Sequence, residues 1–373
     1  PLGDSSVVKQ TIVEKQTAVV PALFISDRIK VTDWFTLNAG VRLSSFLAYG
    51  PAIVYNYHPD LAKSAASITD TSVYRSGQVI KKYINPELRL SANLLLGAYS
   101  SLKINYNSTT QYIHQLSNTA TISPTDIWVL STAHIKPQRG RQLALGFYTN
   151  LFNNTIKISL EGYYKKMDDM IDFKGGAKLL MNENIETDII NTTGRARGLE
   201  LMIKKDKGRL NGWISYTYSK TEIKSNTRFI TEEINNGNWF PANYDKPHDV
   251  SVIMNYIFSR RISFSCTYVY STGRPITYPI ATYTYGGVDV LHYSDRNKYR
   301  IPDYSRLDAS VTLSGNLKSK KLAHSTLTFS IYNLLGRDNV YSIYFDTTND
   351  LVQGYKLSVF AKPIPSLTYN FKF

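Results

Sequence analysis

The stretch IPSLTYNFKF, residues 364–373, decides the fold of this chain. Its apolar and aromatic residues occupy every second position from 367 to 373, and its polar residues occupy the positions between. Successive side chains of a β-strand point to opposite faces of the sheet. The stretch therefore predicts a strand with one apolar and one polar face, which suits either the edge of a soluble sheet or the wall of a membrane barrel.

The same alternation recurs upstream, and it is cleanest at residues 156–165. There Ile156, Ile158, Leu160 and Tyr164 alternate with Lys157, Ser159 and Glu161. Similar patterns mark residues 18–31, 34–46, 80–96, 99–115, 136–151, 199–203, 214–218, 250–258, 262–270, 307–313 and 327–331. With a last strand beginning near Tyr355, the chain is predicted to have about thirteen strands and no helix between them.

The predicted connections alternate between short turns and long loops. Turns are expected near residues 32, 97, 153, 207 and 260 and at 315–324, and loops at 48–78, 116–135, 173–194, 223–244 and 276–301. A soluble sandwich gives no reason for this alternation, whereas an up-and-down membrane barrel has short turns on one side and long loops on the other. We therefore expect an all-β protein, a transmembrane antiparallel up-and-down β-barrel, with Ile158 and Leu160 facing lipid and Lys157 and Ser159 facing the lumen.

Composition agrees with this prediction. The chain has 28 Tyr, a residue that suits the boundary between water and hydrocarbon. No run of eighteen apolar residues predicts a transmembrane helix. The net charge of +14 comes without any nucleic-acid-binding motif, so no nucleic-acid partner is expected. Basic predicted turns, such as Arg260-Arg261, would either meet anionic headgroups of the inner leaflet or simply keep the turns soluble.

Several stretches resemble the C-terminal barrel part of TonB-dependent outer-membrane receptors of the Bacteroidetes type. They are ISDRIKVTDWFTLNAGVRLSSF (25–46), EGYYKKMDDMIDF (161–173), GRARGLELMIKK (194–205), GWISYTYSKTE (212–222), NYDKPHDVSV (243–252), YVYSTGRPITYP (268–279), RNKYRIPDYSRLDASV (296–311), NLLGRDNVYSIYF (333–345) and the terminal IPSLTYNFKF. The last stretch also resembles the closing strand of bacterial outer-membrane barrels. The resemblance covers nearly the whole chain.

The resemblance implies a multi-pass protein of the outer membrane, with a 22-stranded barrel whose lumen holds an N-terminal plug. Residues 1–373 are then expected to be the C-terminal part of that barrel, and the plug, the TonB-contacting segment and about nine strands to lie outside this chain. Expected partners are outer-membrane lipid, the missing N-terminal barrel and plug part, TonB through that part, a small or medium-sized ligand and a surface lipoprotein. We expect the chain not to form a closed barrel alone, because open strand edges are costly in hydrocarbon.

No catalytic group, metal site or cofactor site is predicted, and the chain is not expected to be an enzyme. None of the six histidines lies in a helical ligand pair. His248, in Asp245-Lys246-Pro247-His248-Asp249, could be a base between carboxylates, but a structural role at the barrel rim is the favoured interpretation. Ser271-Thr272-Gly273-Arg274-Pro275 resembles a phosphate-binding turn only weakly and fits the exit of a strand better.

Ligand contacts are expected from the long outer loops, where aromatic and amide residues cluster. The candidate residues are Asn238, Trp239, Tyr278, Tyr283, Tyr285, His292 and Tyr293, within a wider group that includes Asn235, Asn236 and Phe240. The alternative is that they form an aromatic girdle or pack the loops together. The predicted function is energised uptake of a nutrient ligand (a siderophore, haem, cobalamin, glycan or peptide), and the alternative function is a passive outer-membrane porin or channel.

Overall fold

The computed structural model describes residues 15–116, 127–177, 182, 184–286, 288–315, 324–348 and 351–372. The first strands in chain order are β1 Thr17–Val19, β2 Ala22–Lys30, β3 Phe35–Tyr49, β4 Ala52–Tyr57, β5 Ile68–Tyr74, β6 Val79–Leu95, β7 Ser100–Gln111, β8 Ile113–Leu116, β9 Ile127–Leu130, β10 Gln138–Leu151, β11 Ile156–Phe173, β12 Ile189–Lys205 and β13 Leu210–Ser225. The others are β14 Phe240–Pro241, β15 His248–Ile257, β16 Ile262–Ser271, β17 Pro275–Ile276, β18 Pro279–Tyr285, β19 Val288–Tyr293, β20 Tyr299–Arg300, β21 Tyr304–Ser314, β22 His324–Tyr332, β23 Val340–Thr348, β24 Leu351–Ser358 and β25 Ile364–Lys372. Short 3₁₀ helices span Ala65–Ser67, Ile185–Thr187, Ile230–Glu232 and Asn235–Gly237.

Fifteen of these strands form one antiparallel sheet, which we call the wall. Its path runs β1-β3-β6-β7-β10-β11-β12-β13-β15-β16-β21-β22-β25, with β2 beside β3 and β14 beside β13. Strands β1 and β2 both pair with β3 and are separated at Pro21, which has no N–H to give to a sheet. The Pro21 carbonyl still accepts a hydrogen bond from Ser45 N at 2.9 Å, so the two strands follow one line along β3.

The register carries one apolar face across the wall. Leu145 of β10 stands opposite Ile104 of β7 and Gly162 of β11, which in turn faces Leu199 of β12. The next row of partners joins Leu94, Leu102, Phe147, Leu160, Leu201, Tyr216, Val250 and Tyr270. Many apolar residues of this face are exposed, with Leu145 at 50% and Leu160 at 41%. We call it the outer face, because an apolar surface of this extent needs an apolar environment.

The opposite, inner face is polar. Ser159 stands opposite Tyr148 and Met202, and Glu161 stands opposite Gly146 and Glu200. The two sets of residues that the sequence assigns to lipid and to lumen therefore lie on opposite faces of β11. Which face meets lipid stays a prediction, and we return to it in the Discussion.

The connections alternate in length along the wall, as the sequence predicts. Short turns join β2 to β3, β6 to β7, β10 to β11, β12 to β13 and β15 to β16 at one end of the wall. In the turn before β11, Asn153 and Asn154 have φ values of 52° and 61°, a left-handed conformation that Asn tolerates well. The predicted basic turn at 315–324, with Lys318, Lys320 and Lys321, lies largely outside the described residues.

The other end of the wall carries the long connections, and for three of the predicted loops, at 48–78, 116–135 and 276–301, the prediction of a plain loop is wrong. These connections contain the hairpins β4–β5, β8–β9 and β18–β19, and β23–β24 is a further hairpin, whose short strands satisfy backbone groups that a compact loop would otherwise leave unpaired. The described residues between β11 and β12 and between β13 and β14 form loops with short 3₁₀ helices, as predicted. The prediction that the last strand begins near Tyr355 is also wrong. Tyr355 belongs to β24 and pairs with Tyr344, and the last wall strand begins at Ile364. Alternation alone could not separate a hairpin strand from a wall strand.

Side chains buried in apolar clusters lie mainly at this long-connection end. One cluster joins Ile190, Ile223, Ile234, Phe240 and Ala242, and a second joins Leu116, Val129, Ile135 and Ile189. Each brings together wall strands and long connections, and the second packs the β8–β9 hairpin onto β12. Within the described residues, no helix is long and apolar enough to cross a membrane.

Candidate functional site

The long-connection end is the candidate functional site, and Arg296 is the residue that joins most of it together. Its guanidinium donates to Asp172 Oδ1 at 2.7 Å and to the Phe173 carbonyl at 2.8 Å, at the end of β11. Its backbone N–H donates to Asn235 Oδ1 at 2.8 Å, and Asn235 Nδ2 donates back to the Arg296 carbonyl at 2.9 Å. Arg296 therefore links the segments 226–247 and 272–303 to the top of β11.

A second junction is formed by Asp245 and Arg300. The Asp245 side chain is 1% exposed and pairs with the Arg300 guanidinium, which also donates to the carbonyls of Asp245 and Gly273. Asp245 Oδ1 also accepts the backbone N–H of Thr221 on β13 at 2.7 Å. A buried carboxylate is tolerated because each of its oxygens has a donor. The pair fastens the segment 242–247 to both β13 and the segment 272–303.

Two further junctions come from Asp303 and Asn333. Asp303 accepts the Gly273 N–H at 2.8 Å and the Tyr270 hydroxyl at 2.7 Å. A Cβ on Gly273 would lie 1.7 Å from the Ile301 carbonyl oxygen, so only glycine fits there. Asn333 is fully buried and donates to the carbonyls of Arg337, Phe360 and Ala361, which closes the base of the β23–β24 hairpin.

The candidate ligand residues are only partly brought together. Tyr283 and Tyr285 lie on β18 toward the tip of the β18–β19 hairpin and are 54% and 77% exposed. Tyr278, in contrast, stacks on Tyr299 at 5.2 Å between ring centroids and meets Phe345 edge-on at 5.3 Å. Tyr278 therefore packs between the loops, and ligand contact at Tyr278, Tyr283 and Tyr285 stays a prediction.

His292 and Tyr293 line an open cavity of about 360 Å³. Its wall also contains the polar side chains of Glu233, Asn235, Asn236, Asp295, Arg296 and Lys298. The cavity lies directly over the Arg296 junction and combines charged groups, amides and aromatic rings. That mixture suits a polar ligand of moderate size.

Asn238 and Trp239 lie apart from this cavity. Asn238 is exposed, while the Trp239 ring is half-buried beneath the Arg195 guanidinium, 4.2 Å from the ring centroid. Arg195 stands on the outer face of the wall, opposite Glu222. Trp239 therefore lies beside the outer face of the wall and does not line the cavity, and its contact with a ligand stays a prediction.

Other cavities at this end are lined by residues that sequence reasoning missed. One of about 420 Å³ has Lys174, Arg274 and Arg296 beside Asp172, and burial lowers the pKa of the Arg274 guanidinium. Another, of about 410 Å³, lies between the β4–β5 and β8–β9 hairpins and includes Tyr55, Ile127 and His134. The basic residues within the long loops could have indicated the cavity that contains Lys174 and Arg274. The sequence search missed it because it favoured aromatic and amide side chains.

His248 does not combine with Asp245, which is engaged by Arg300. Its Nδ1 lies 2.9 Å from the Tyr216 hydroxyl, and its ring packs against those of Tyr216 and Tyr218. These contacts place His248 at the rim of the wall, in keeping with a structural role. Across the described ranges, no group of three or more His, Cys, Asp or Glu side chains could hold a metal ion.

His114, on the β8–β9 hairpin, offers a test of how the long connections respond to pH. It is 3% exposed, its Nε2 lies 3.0 Å from Ser131 Oγ, and burial lowers its pKa to about 4. The folded imidazole thus resists protonation, whereas the unfolded one binds a proton below about 6.5. Stability of the hairpin should therefore fall as pH drops from about 6.5 to about 4. Hydrogen exchange of hairpin amides should show this fall, and the His114→Gln variant should lose it.

The matched control for that experiment is His58→Gln, which changes an exposed imidazole in a neighbouring connection. It should leave the pH dependence of the β8–β9 amides as it is in the unsubstituted protein. If amide exchange in the β8–β9 hairpin of the His114→Gln variant depended on pH as it does in the unsubstituted protein, the prediction would be wrong.

On the inner face, Glu161 and Glu200 stand directly opposite each other on β11 and β12. Like charges in opposed positions destabilise a sheet. Among the residues that the structure describes, neither carboxylate has a Lys or Arg nitrogen within ion-pair distance. The inner face thus carries an acidic pair that forms no direct ion pair in the described part of the chain, and the nearest cation in its row is Lys103, across Gly146.

Comparison with known proteins agrees with the fold. The model of a family described as TonB dependent receptor-like, beta-barrel, matches residues 3–334. No curated protein sequence matches the chain significantly.

Similar solved structures include the siderophore receptor PiuA from Acinetobacter baumannii, with a TM-score of 0.58, 14% identity and 96% of this chain covered. The ferric-catecholate import receptor Fiu from Escherichia coli K12 has a TM-score of 0.57, 15% identity and 95% coverage. The ferric yersiniabactin uptake receptor FyuA from Yersinia pestis has a TM-score of 0.56, 14% identity and 96% coverage. The chain spans 44%, 44% and 46% of the lengths of these three proteins.

Proposed function

The chain belongs to the TonB-dependent receptor-like β-barrel family. We propose that it forms part of the barrel wall of an outer-membrane receptor. This receptor would take up a nutrient ligand with energy supplied through TonB. The observation that carries the proposal is the wall itself: one apolar and one polar face, with short turns at one end and packed hairpins at the other. A membrane barrel needs the two faces, and ligand capture needs the hairpins.

The proposal includes a plug and further strands that residues 1–373 do not supply. Support comes from the share of the three solved receptors that the chain spans, 44–46%. Further support comes from Glu161 and Glu200, since a plug with Arg or Lys at that height would neutralise the acidic pair. The first and last wall strands would then pair with strands of the remaining part, which leaves no edge in hydrocarbon.

Two further parts of the proposal rest on the resemblance of the sequence stretches quoted above. One is that the receptor is of the Bacteroidetes type, and the other is that a surface lipoprotein binds over the long-connection end. The exposed tip of the β18–β19 hairpin, with Tyr283 and Tyr285, is the surface we assign to early ligand or lipoprotein contact.

An iron chelate is the first ligand to test, because the similar structures named above are receptors for siderophores or ferric chelates. Cells whose only receptor is the full-length protein would be given radio-iron-labelled chelates purified from iron-starved cultures. Energised transport predicts uptake that saturates at low chelate concentration and stops when TonB is deleted. Uptake that rises linearly with concentration and ignores the deletion would overturn the proposal in favour of a passive porin.

The proposal also fixes the sidedness of the wall. In a Cys266→Ser background, a Tyr285→Cys variant should react with a membrane-impermeant maleimide on intact cells, because the hairpin tip would be outside. The matched variant Lys207→Cys, in the exposed turn between β12 and β13, should react only after the outer membrane is permeabilised. Labelling of position 207 on intact cells, with none at position 285, would invert the orientation.

A further inference from the structure

One continuous part of the inner face carries only hydroxyl and amide side chains. A register row crosses six wall strands there, and every residue in it is Ser or Asn. The row consists of Asn211, Asn255, Ser265, Ser310, Ser330 and Ser366. The next row toward the short turns consists of Ser263, Thr312, Thr328 and Thr368. We call the residues of these two rows the hydroxyl patch.

Side chains of the hydroxyl patch bind one another. Ser265 Oγ donates to Asn255 Oδ1 at 2.7 Å, and Asn255 Nδ2 donates to Asn211 Oδ1 at 3.3 Å. Two hydroxyl pairs are also in contact, Ser330 with Ser366 at 2.7 Å between oxygens and Thr312 with Thr328 at 3.0 Å. Polar groups that become buried need hydrogen-bond partners. These side chains already have partners within the wall, so they need no fixed partner on a plug.

Charges stand at the borders of the hydroxyl patch. On β21, the next inner-face residue toward the long connections is Asp308, which pairs with Arg306 at 3.0 Å. On β25, the inner-face position after Asn370 is Lys372, at the end of the strand. The patch is therefore a neutral, hydrophilic surface between charged borders.

The inner face of strands β2 to β12 differs from the hydroxyl patch because it carries many charged residues. They include Arg89, Lys103, Lys157, Glu161, Glu200 and Lys204. A hydrogen bond with a charged partner is about twice as strong as one between neutral groups. A plug inside the barrel would therefore be held more firmly against these strands than against the hydroxyl patch.

We propose that the hydroxyl patch lines the route by which a hydrophilic ligand passes between wall and plug during energised uptake. The inference rests on the proposed function, because it requires a plug and its displacement through TonB. When the plug moves away from the patch, its contacts with neutral hydroxyls are replaced by contacts with water, which are nearly as favourable. Separation from the charged strands would break stronger bonds, so the plug parts from the wall at the patch.

The chemistry of the hydroxyl patch also suits the passage itself. A route conducts only if its walls bind the passing molecule weakly enough to release it. Ser, Thr and Asn offer many similar hydrogen bonds and no charge, so a hydrophilic ligand moves from one to the next without being held by any. The Lys and Glu side chains on the inner face of β11 and β12 would instead retain a ligand of opposite charge.

The test measures when the hydroxyl patch becomes accessible in living cells. The full-length receptor carries Ser265→Cys or Ser310→Cys in a Cys266→Ser background, and the cells receive the radio-iron-labelled chelates of the uptake experiment. The thiol probe is a small sulfonated methanethiosulfonate. A minor conformation is populated at about 0.1–10%, so opening of the route during uptake should raise the labelling rate on the order of tenfold or more. Deletion of TonB should abolish the rise.

The matched controls are Ser91→Cys on β6 and Ser159→Cys on β11. Both serines are half-buried on the inner face, as Ser265 and Ser310 are, but they lie among the charged strands. Their labelling rates should be the same with and without TonB. No rise at positions 265 and 310, or an equal rise at all four positions, would overturn the inference.

A second measurement asks whether the ligand uses the route. A bulky biotin maleimide attached at position 310 should abolish most TonB-dependent chelate uptake and leave chelate binding to cells on ice unchanged. The same group at position 159 should leave both unchanged. Greater inhibition from position 159 than from position 310 would overturn the inference.

Failure of this inference is separable from failure of the proposed function. Heat-modifiable migration in gels checks that each variant has folded. If the Cys266→Ser receptor takes up chelate only with TonB while positions 265 and 310 stay unlabelled, the receptor function stands and the route lies elsewhere. If that receptor shows no TonB-dependent uptake, the proposed function and this inference both fail.

Discussion

Replacing Asp245 with alanine should weaken the long-connection end more than any other single change to its polar network. The substitution leaves the Arg300 guanidinium half-buried without its carboxylate and the Thr221 N–H without its acceptor. Removing one partner of a buried ion pair typically costs about 3–5 kcal/mol. We expect a loss of this size in the free energy of opening of residues 242–247 and 272–303, measured by native-state hydrogen exchange on the full-length receptor.

Asp295→Ala is the matched control for that experiment. Asp295 also pairs with a cation, Lys298 at 3.3 Å, but both side chains are more than half exposed. An exposed pair is worth about 0–1 kcal/mol, so the amides should exchange almost as in the unsubstituted protein. Equal effects of Asp245→Ala and Asp295→Ala would contradict the role given to the buried junction.

The second large effect is expected at Leu160, in the middle of the apolar part of β11. Leu160→Arg should destabilise the protein folded in lipid vesicles, lowering its free energy of unfolding by about 2–4 kcal/mol, because the charge would lie near the middle of the hydrocarbon. Ser159→Arg should cost much less, since that side chain points to the inner face. The folded fraction of each full-length variant across a urea series, read from heat-modifiable migration, measures the difference.

A reversed order, with Ser159→Arg the more damaging, would show that the assignment of the two faces is wrong. Spin labels at positions 158 and 159 give an independent reading. Lipid contact is expected at 158 and water contact at 159, and the opposite result would contradict the same assignment.

The wall could be predicted from sequence because one of its faces is apolar and the other polar along much of its length. Residues 156–165 alternate so regularly that the strand, and which residues share one of its faces, follow from the pattern, whereas the register with β12 comes only from the structure. The hairpins could not be predicted in the same way. Residues 353–357 of β24 are exposed, and β24 pairs with β23 although its sequence near Tyr355 resembles the start of a wall strand.

The candidate site was harder to predict from sequence than the hairpins, because its organisation depends on charged side chains that are far apart in sequence. Arg296 and Asp172 are 124 positions apart, and no local sequence pattern in either segment predicts that they pair. Sequence reasoning therefore favoured aromatic residues, and of these Tyr278 and Trp239 pack against other protein groups. His292 and Tyr293 line the cavity because the predicted aromatic cluster overlaps its wall, and their contact with a ligand stays a prediction.

The position of the Arg296, Asp245 and Asn333 junctions at the bases of the long connections has a consequence for how such a receptor can change over generations. The β18–β19 and β23–β24 hairpins are fastened where they leave the wall, while a tip such as the one bearing Tyr285 is free of those bonds. Insertions, deletions and substitutions at a tip then leave the wall and the neighbouring hairpins where they are. Under the proposed function, selection can therefore change the ligand contacts of one tip at a time while the wall stays the same.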